Sequence, residues 1–313
     1  MRVFLTGATG CVGAYVLRRL LDLPDVTVLA QVRDPALLPP SVANCPRLTI
    51  IVADLREVDS MAPYLVEVDT AVMLATSWGG ADTMAVTCDA NLALADLLIA
   101  GGCQHILYFA TASVLDHRGV LLPPARDLGT EYIRAKYALV EGMEIRASAV
   151  RVTGLFPTIV IGGNLDAGIP FSHFARLLKQ LKRWVFLLRF LRADATMHMI
   201  YADDIASVVL HLLGTSEAQE KRIVLGNPKT YLNELIDQTV LHFGFRRRQI
   251  VTLHPAIAGV LVHLFRIQLS PWDRYCMMHP TQCYDVPVNP AFFGLPVLMR
   301  SITEGFTLIG LPK

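Results

Sequence analysis

The chain has 313 residues, 53% of them apolar and 18% charged, and a formal net charge of +1. That length and apolar content guarantee a sizeable core and exclude a disordered chain. The near-zero charge gives no electrostatic basis for binding nucleic acid or an anionic membrane, and the short run Arg246-Arg247-Arg248 reads as a solvated turn.

In chain order, apolar runs predict strands at Arg2–Thr6, Thr27–Val32, Leu48–Val52, Thr70–Leu74, His105–Ala110 and Ser148–Val152. Amphipathic stretches between them, such as Val12–Leu23 and Ala90–Ala100, predict helices. Strand and helix alternating in this way imply an α/β fold, a Rossmann-type doubly wound parallel sheet with right-handed crossovers. After Arg151 the rhythm breaks. Pro157, Gly162, Gly163, Gly168 and Pro170 mark a loop, and a basic, aromatic helix is expected near Phe171–Leu191. A strand-like Met197–Tyr201, a helix Ile205–Leu213 and a strand Arg222–Leu225 follow, and the last third is helical and then rich in proline. The expected organisation is a cofactor domain over 1–154, joined by 198–226, and a smaller, mostly helical C-terminal substrate lobe over 155–197 and 227–313.

Six cysteines, at 11, 45, 88, 103, 276 and 283, form neither a C-x-x-C pair nor a zinc spacing, so no metal site is expected and the cytosol is the expected compartment. The first residues read as a strand and not as a signal or transit peptide. No stretch reaches the roughly 18 uncharged apolar residues of a spanning helix. Residues 184–191 and 256–269 come nearest, interrupted by Arg189, His263 and Arg266.

The stretch TGATGCVG, Thr6 to Gly13, joins the first strand to the first helix. A strand that turns sharply into a helix leaves the first helical amides unpaired, and with the helix dipole they form an anion site. Glycine permits the turn and lets a pyrophosphate approach with no Cβ in the way. The phosphates of a dinucleotide are therefore expected over Gly7, Thr9, Gly10, Cys11, Val12 and Gly13. The second strand ends QVRDP. Val32 stands where NAD sites carry an acid, and Arg33 suits the 2′-phosphate of NADP through paired, charge-assisted hydrogen bonds. NADP is thus expected over NAD, with Asp34 either a ribose ligand or a cap on the turn before Pro35. Asp54 and Leu55 are expected beside the adenine, and Ala75 and Thr76 along the middle of the cofactor. Further on, EYIRAKYALVE places Tyr132 and Lys136 four apart, on one helix face. An ammonium near the phenol, whose free pKa is about 10, is expected to lower it into the range of an acid–base catalyst.

Taken in order, the glycine turn, VRDP, ADL, LAT, Asn91, YFATASV, Tyr132-x-x-x-Lys136 and YADDIA resemble the extended short-chain dehydrogenase/reductase superfamily of NAD-dependent epimerases and dehydratases. The resemblance covers roughly residues 1–226. It implies Tyr132 as acid/base, Lys136 as ligand of the nicotinamide ribose, and Thr111, with Ser113 as the alternative, as the group that hydrogen-bonds the reacting oxygen. It also implies that Asn91 braces the site's backbone, that Phe156-Pro157 borders the nicotinamide, and that Asp203 and Asp204 tie the small lobe to the main one. Asp116 and His117 stand as replacement acid/base groups. Leu74, Ala110, Ala112 and VLDHRG depart from the common pattern, and VRDP resembles the dihydroflavonol- and cinnamoyl-reductase-like side of the family. The expectation is an NADP(H)-dependent oxidoreductase that moves a hydride between nicotinamide and a carbonyl/alcohol pair of a small or largely apolar metabolite. The alternatives are a nucleotide-sugar epimerase or dehydratase, with Arg176, Lys179, Lys182, Arg183, Arg189 and Arg192 as diphosphate ligands, and a non-catalytic NADP-binding redox sensor. Family members often dimerise through helices of the main domain, so a homodimer is expected by analogy.

Overall fold

The computed structural model describes residues 1–182, 184–215, 221–248, 251–252 and 269–312. Arg183 and residues 256–268 of the apolar stretch lie outside the described residues. Seven strands form one sheet: β1 (Arg2–Thr6), β2 (Thr27–Val32), β3 (Leu48–Val52), β4 (Thr70–Met73), β5 (His105–Phe109), β6 (Arg151–Pro157) and β7 (Arg222–Leu225). Their order is β7-β6-β5-β4-β1-β2-β3, and every neighbouring pair is parallel. The order reverses between β1 and β4, and a crevice opens beyond the strand ends at such a switch point.

Side chains that alternate along the strands feed two cores. Val3, Leu5, Val28 and Ala30 face helix α1 (Cys11–Asp22), whose Val16, Leu17 and Leu20 are buried. Phe4, Leu29, Ala71 and Met73 face the other way, onto helix α2 (Ala90–Ala100) through Leu94 and Leu98. Burial on both faces explains why the strands read as apolar runs. Each fully buried leucine contributes about 2 kcal/mol of transfer free energy. The short helix Pro123–Asp127, α3, leads into α4 (Glu131–Arg146), which Thr130 caps by accepting from the Ile133 amide.

The sixth strand starts later than expected. Ala147–Val150 form the turn that closes α4, where the amides of Ala149 and Val150 donate to the Arg146 carbonyl. β6 then runs through Gly154 to Pro157, so a domain boundary after 154 falls inside a strand. Beyond it lie short segments and helices: α5 (His173–Leu181), α6 (Val185–Leu188), α7 (Ala202–Gly214), α8 (Leu232–His242), Pro271–Met278 and Ile302–Leu308. The single helix expected over Phe171–Leu191 is thus two. Arg247 also departs from the solvated-turn reading: its guanidinium donates to the Leu188 carbonyl at 2.9 Å and pairs with Asp237 at 2.8 Å. The paired acids of YADDIA join elements distant in sequence. Asp203 pairs with Arg18 at 3.2 Å and with Arg19, while Asp204 accepts from the amides of Leu298 (2.8 Å) and Met299 (3.1 Å). No helix among the described residues is long and apolar enough to cross a membrane.

Candidate active site

A cavity of about 870 Å³ opens over the carboxyl ends of the strands. Its nucleotide end is the turn after β1. Gly7 has φ +72°, a conformation that glycine adopts freely. A Cβ on Gly13 would collide with the Gly7 carbonyl oxygen, so that glycine serves the packing of helix on turn. Gly10 is different. It caps α1 without a side chain to engage the first amides, and a Cβ there would meet only the Gly7 oxygen, at 3.3 Å. The first amides of α1 are thus left facing the cavity, bordered by Thr9, Gly10, Cys11, Val12 and Gly13. This cradle fits a dinucleotide's pyrophosphate: it offers backbone donors, a helix N-terminus and no side chain in the way.

At the end of β2, Gln31, Val32 and Arg33 line the cavity. Asp34 does not. Its carboxylate accepts from the Ala36 amide at 2.9 Å and caps the Pro35 turn. Asp54, after β3, is gripped by Arg56 through two bonds of 3.0 and 2.9 Å, which hold its carboxyl down at about 2. Arg56 also reaches Asp82 at 3.2 Å. Both carboxylates are therefore engaged by one guanidinium, while Arg33 lies exposed at the rim. Leu55, Leu74, Ala75 and Thr76 line the next stretch of wall. Asn91, almost fully buried, braces that wall: its amide donates to the carbonyls of Ala75 (3.2 Å), Val86 (2.9 Å) and Thr87 (3.3 Å).

Tyr132, Lys136, Thr111 and Ser113 converge on the middle of the cavity. Thr111 caps the turn Ala112–Val114, and its hydroxyl lies 3.4 Å from that of Ser113. Lys136 is buried, and its ammonium donates to the Phe109 carbonyl at 2.7 Å, at the end of β5. Burial pulls its pKa down to about 7, against a smaller upward pull from Cys88. The expected lowering of the Tyr132 pKa is corrected. The Lys136 nitrogen sits 6.0 Å from the Tyr132 ring centroid and bonds Phe109 instead, and burial under Trp78 pushes the phenol above its ordinary value.

Two further expectations are corrected. Phe156 does not line the cavity. It is fully buried and packs edge-on to Tyr108, because alternation along β6 turns it inward and Pro157 outward. Asp116 and His117 lie away from the cavity lining. Asp116 closes a turn by accepting from the amides of Arg118 and Val120 at 2.9 Å, and the His117 carbonyl accepts from the Asp285 amide.

The far half of the cavity lies largely in the expected substrate lobe, but its individual lining residues were not legible from the sequence. Trp78, Phe171, His173, Phe174 and Leu177 form it with Ile159, Val160, Met197 and His198. Of the six basic residues singled out near α5 and α6, Arg176 lines the cavity, and its guanidinium donates to His173 Nδ1 at 3.1 Å. Lys179 lies over the Phe171 ring, Arg189 over Phe186 and Phe190, and Arg192 against Asp194. Tyr284 enters from the C-terminal segment, and its hydroxyl donates to the Ala112 carbonyl at 2.6 Å, beside Thr111. Its amide donates to His198 Nε2, whose Nδ1 donates to the Asn227 carbonyl. The basic, aromatic stretch that holds Phe171 and Arg176 pointed to part of this half; for Trp78 the sequence signal is a tryptophan set beside two glycines just past a strand end, in LATSWGG.

Solved structures of similar fold include MoeE5 in complex with UDP-glucuronic acid and NAD (16% identity, 98% of this chain and 97% of that one, TM-score 0.70). They also include UDP-glucuronic acid 4-epimerase from Bacillus cereus with UDP-glucuronic acid and NAD (16% identity, 100% and 94%, TM-score 0.67). A third is DesIV, a dTDP-glucose 4,6-dehydratase from Streptomyces venezuelae with NAD and TYD bound (18% identity, 80% and 84%, TM-score 0.61). At these identities the likeness is one of fold. Among curated proteins, the hybrid PKS-NRPS synthetase prlS of Fungal sp. (strain NRRL 50135) is 32% identical over 149 residues, which make up 44% of this chain and only 4% of that protein. The pattern of the NAD dependent epimerase/dehydratase family matches residues 3–226, from the first strand to the last of the central sheet, and the chain belongs to that family.

Proposed function

We propose that this protein is an NADP(H)-dependent oxidoreductase acting on a carbonyl/alcohol pair of a small, largely apolar metabolite in the cytosol. The observation that carries the substrate class is the lining of the far half of the cavity, which is mostly aromatic and aliphatic, with Ser172, His173, Arg176, His198 and Gln282 as its polar side chains. The coenzyme preference rests on Arg33 at the rim, with Asp34 and Asp54 already engaged. Bound at the glycine turn, the nicotinamide coenzyme supplies or accepts the hydride. The chain does the rest. The Tyr132 hydroxyl passes its proton to the developing alkoxide, or takes one in the reverse direction. A high phenol pKa suits the donor role, since the proton stays on Tyr132 Oη until the oxygen becomes basic. The Thr111 hydroxyl orients that oxygen. Lys136, held by the Phe109 carbonyl, lines the same stretch of cavity and would meet the ribose.

A nucleotide-sugar epimerase or dehydratase is the second reading. It is favoured by the family and by neighbours solved with UDP-sugars and NAD, and here Arg176 would meet the diphosphate. The test is a titration of NADPH and NADH, followed by coenzyme-absorbance assays with carbonyl compounds and by chromatographic product analysis with UDP-sugars, whose epimerisation or dehydration leaves no net change in the coenzyme. Tighter NADPH binding and its oxidation by carbonyl compounds are expected. Tighter NADH binding with turnover of UDP-sugars would replace the first reading by the second.

A further inference from the structure

Trp78 stands between two pockets. It lines the main cavity, and with Gly79, Thr130, Glu131 and Tyr132 it also lines an outer depression of about 470 Å³ at the start of α4. Its indole lies on the Tyr132 ring with centroids 4.5 Å apart and planes 21° from parallel. Its other face lies on His173 at 4.2 Å and 27°. The residue is 60% exposed, so two ring faces hold it and not burial. Its backbone is anchored just before the ring, where the Ser77 amide donates to the buried Thr87 hydroxyl at 3.0 Å. Just after it, Gly79 and Gly80 take φ of 78° and 93° and turn the chain away. The ring is thereby set flat against the phenol, and stacked faces at that spacing leave no gap for a substituent.

Building on the oxidoreductase reading above, we propose that Trp78 is the specificity-determining residue of this site. It admits to Tyr132 a carbonyl compound that is unbranched beside the reacting carbon and turns away one that is branched there. The indole covers the Tyr132 ring face, so it bounds the space beside an oxygen held at the Tyr132 hydroxyl, and a branch there would run into it. Without the indole the cavity and the outer depression become one space.

The test compares wild type with Trp78→Ala and Trp78→Phe, each checked for folding by circular dichroism. Anilinonaphthalene sulfonate, an apolar dye, is titrated in the presence of saturating NADPH. Trp78→Ala should bind it about ten-fold more tightly than wild type, with Trp78→Phe close to wild type, in line with the roughly 10- to 200-fold that an apolar pocket sets on one methylene. Equal dye affinity in wild type and Trp78→Ala overturns the partition. NADPH oxidation is then followed with paired straight-chain and α-branched ketones. Wild type should favour the straight chain by a factor in that same range and Trp78→Ala should lose the preference; an unchanged preference overturns the proposal. If no ketone is reduced while the dye difference persists, the oxidoreductase reading fails and the partition at Trp78 stands.

Discussion

At the nucleotide end of the cavity, the walls are the ends of β1, β2, β3 and β4 and the turns that directly follow them. At the substrate end, the walls are gathered from the turn after β4, the segment after β6, α5 and a C-terminal segment that meets the site through Tyr284. The first end is chiefly backbone chemistry, glycine angles and amides, with two exposed guanidinia, Arg33 and Arg56, at its rim. The second is side-chain packing among elements far apart in sequence. Recognition of a constant group can thus be written into one short stretch of chain, whereas recognition of a variable group depends on how the rest of the chain folds over it.

The sharpest way to break this division is at the wall between the two ends, where Tyr132 lies. Tyr132→Phe keeps the ring and its stack on Trp78 and deletes the transferable proton, so kcat should fall about 10²- to 10⁴-fold on an established substrate. The coenzyme dissociation constant should stay unchanged, and full activity in the variant would remove the assignment. Next comes the turn. Gly10→Val places a branched side chain over the amides of α1. Losing about two hydrogen bonds to a charged phosphate, at roughly 1.5 kcal/mol each, should weaken NADPH about 100-fold with an unchanged circular dichroism spectrum. Normal binding by the folded variant would show that the phosphates lie elsewhere. Arg33→Ala should cost NADPH about ten-fold and leave NADH unaffected, as measured by parallel titrations. An equal loss for both coenzymes would take the 2′-phosphate away from Arg33.

Smaller effects sharpen the packing side. Asp204→Ala leaves the amides of Leu298 and Met299 without their acceptor and should lower unfolding free energy by about 1–3 kcal/mol in urea. Coenzyme affinity, set at the other end, should not move. Lys136 makes a graded prediction for the coenzyme-free protein. Its pKa is about 7 in the fold and about 10.4 in an unfolded chain. Between those values the unfolded state binds more protons, so stability should rise with pH from about 7 to about 10. Lys136→Met should flatten that rise, which urea midpoints across the window would measure. An identical slope in the variant would place the titration on another group.

The difference between the two ends also sets what could be read beforehand. The strands β1, β2, β3 and β7 were legible to the residue: β1, β2 and β7 are short, largely buried runs that end at Gly7, Arg33 and Gly226, and the edge strand β3 is a β-branched apolar run set between Arg47 and Asp54. β6 was misplaced because Ala147–Val150 suit the end of α4 as well as a strand, and Gly154 and Thr153 interrupt the apolar run. Phe156 was misassigned for a related reason. Strand side chains alternate, and a shift of one position exchanges the core face for the cavity face. Tyr132 and Lys136 were brought together by helix periodicity, yet their electrostatic relation was not legible, since it turns on the Phe109 carbonyl that Lys136 finds in β5.

By itself, the sequence determined the parallel α/β class, four of the seven strands to the residue, the glycine turn, a guanidinium at the end of β2 and the four-residue spacing of Tyr132 and Lys136. Each of these follows from φ, ψ and periodicity within a few residues. Only the tertiary structure decided that Asp34 caps a turn, that Arg56 neutralises Asp54, that Trp78 lies between Tyr132 and His173, and that Tyr284 reaches Ala112. Those contacts join residues whose separation along the chain carries no periodic signal, and they form because burying the apolar faces of the sheet and helices brings distant segments to the same strand ends.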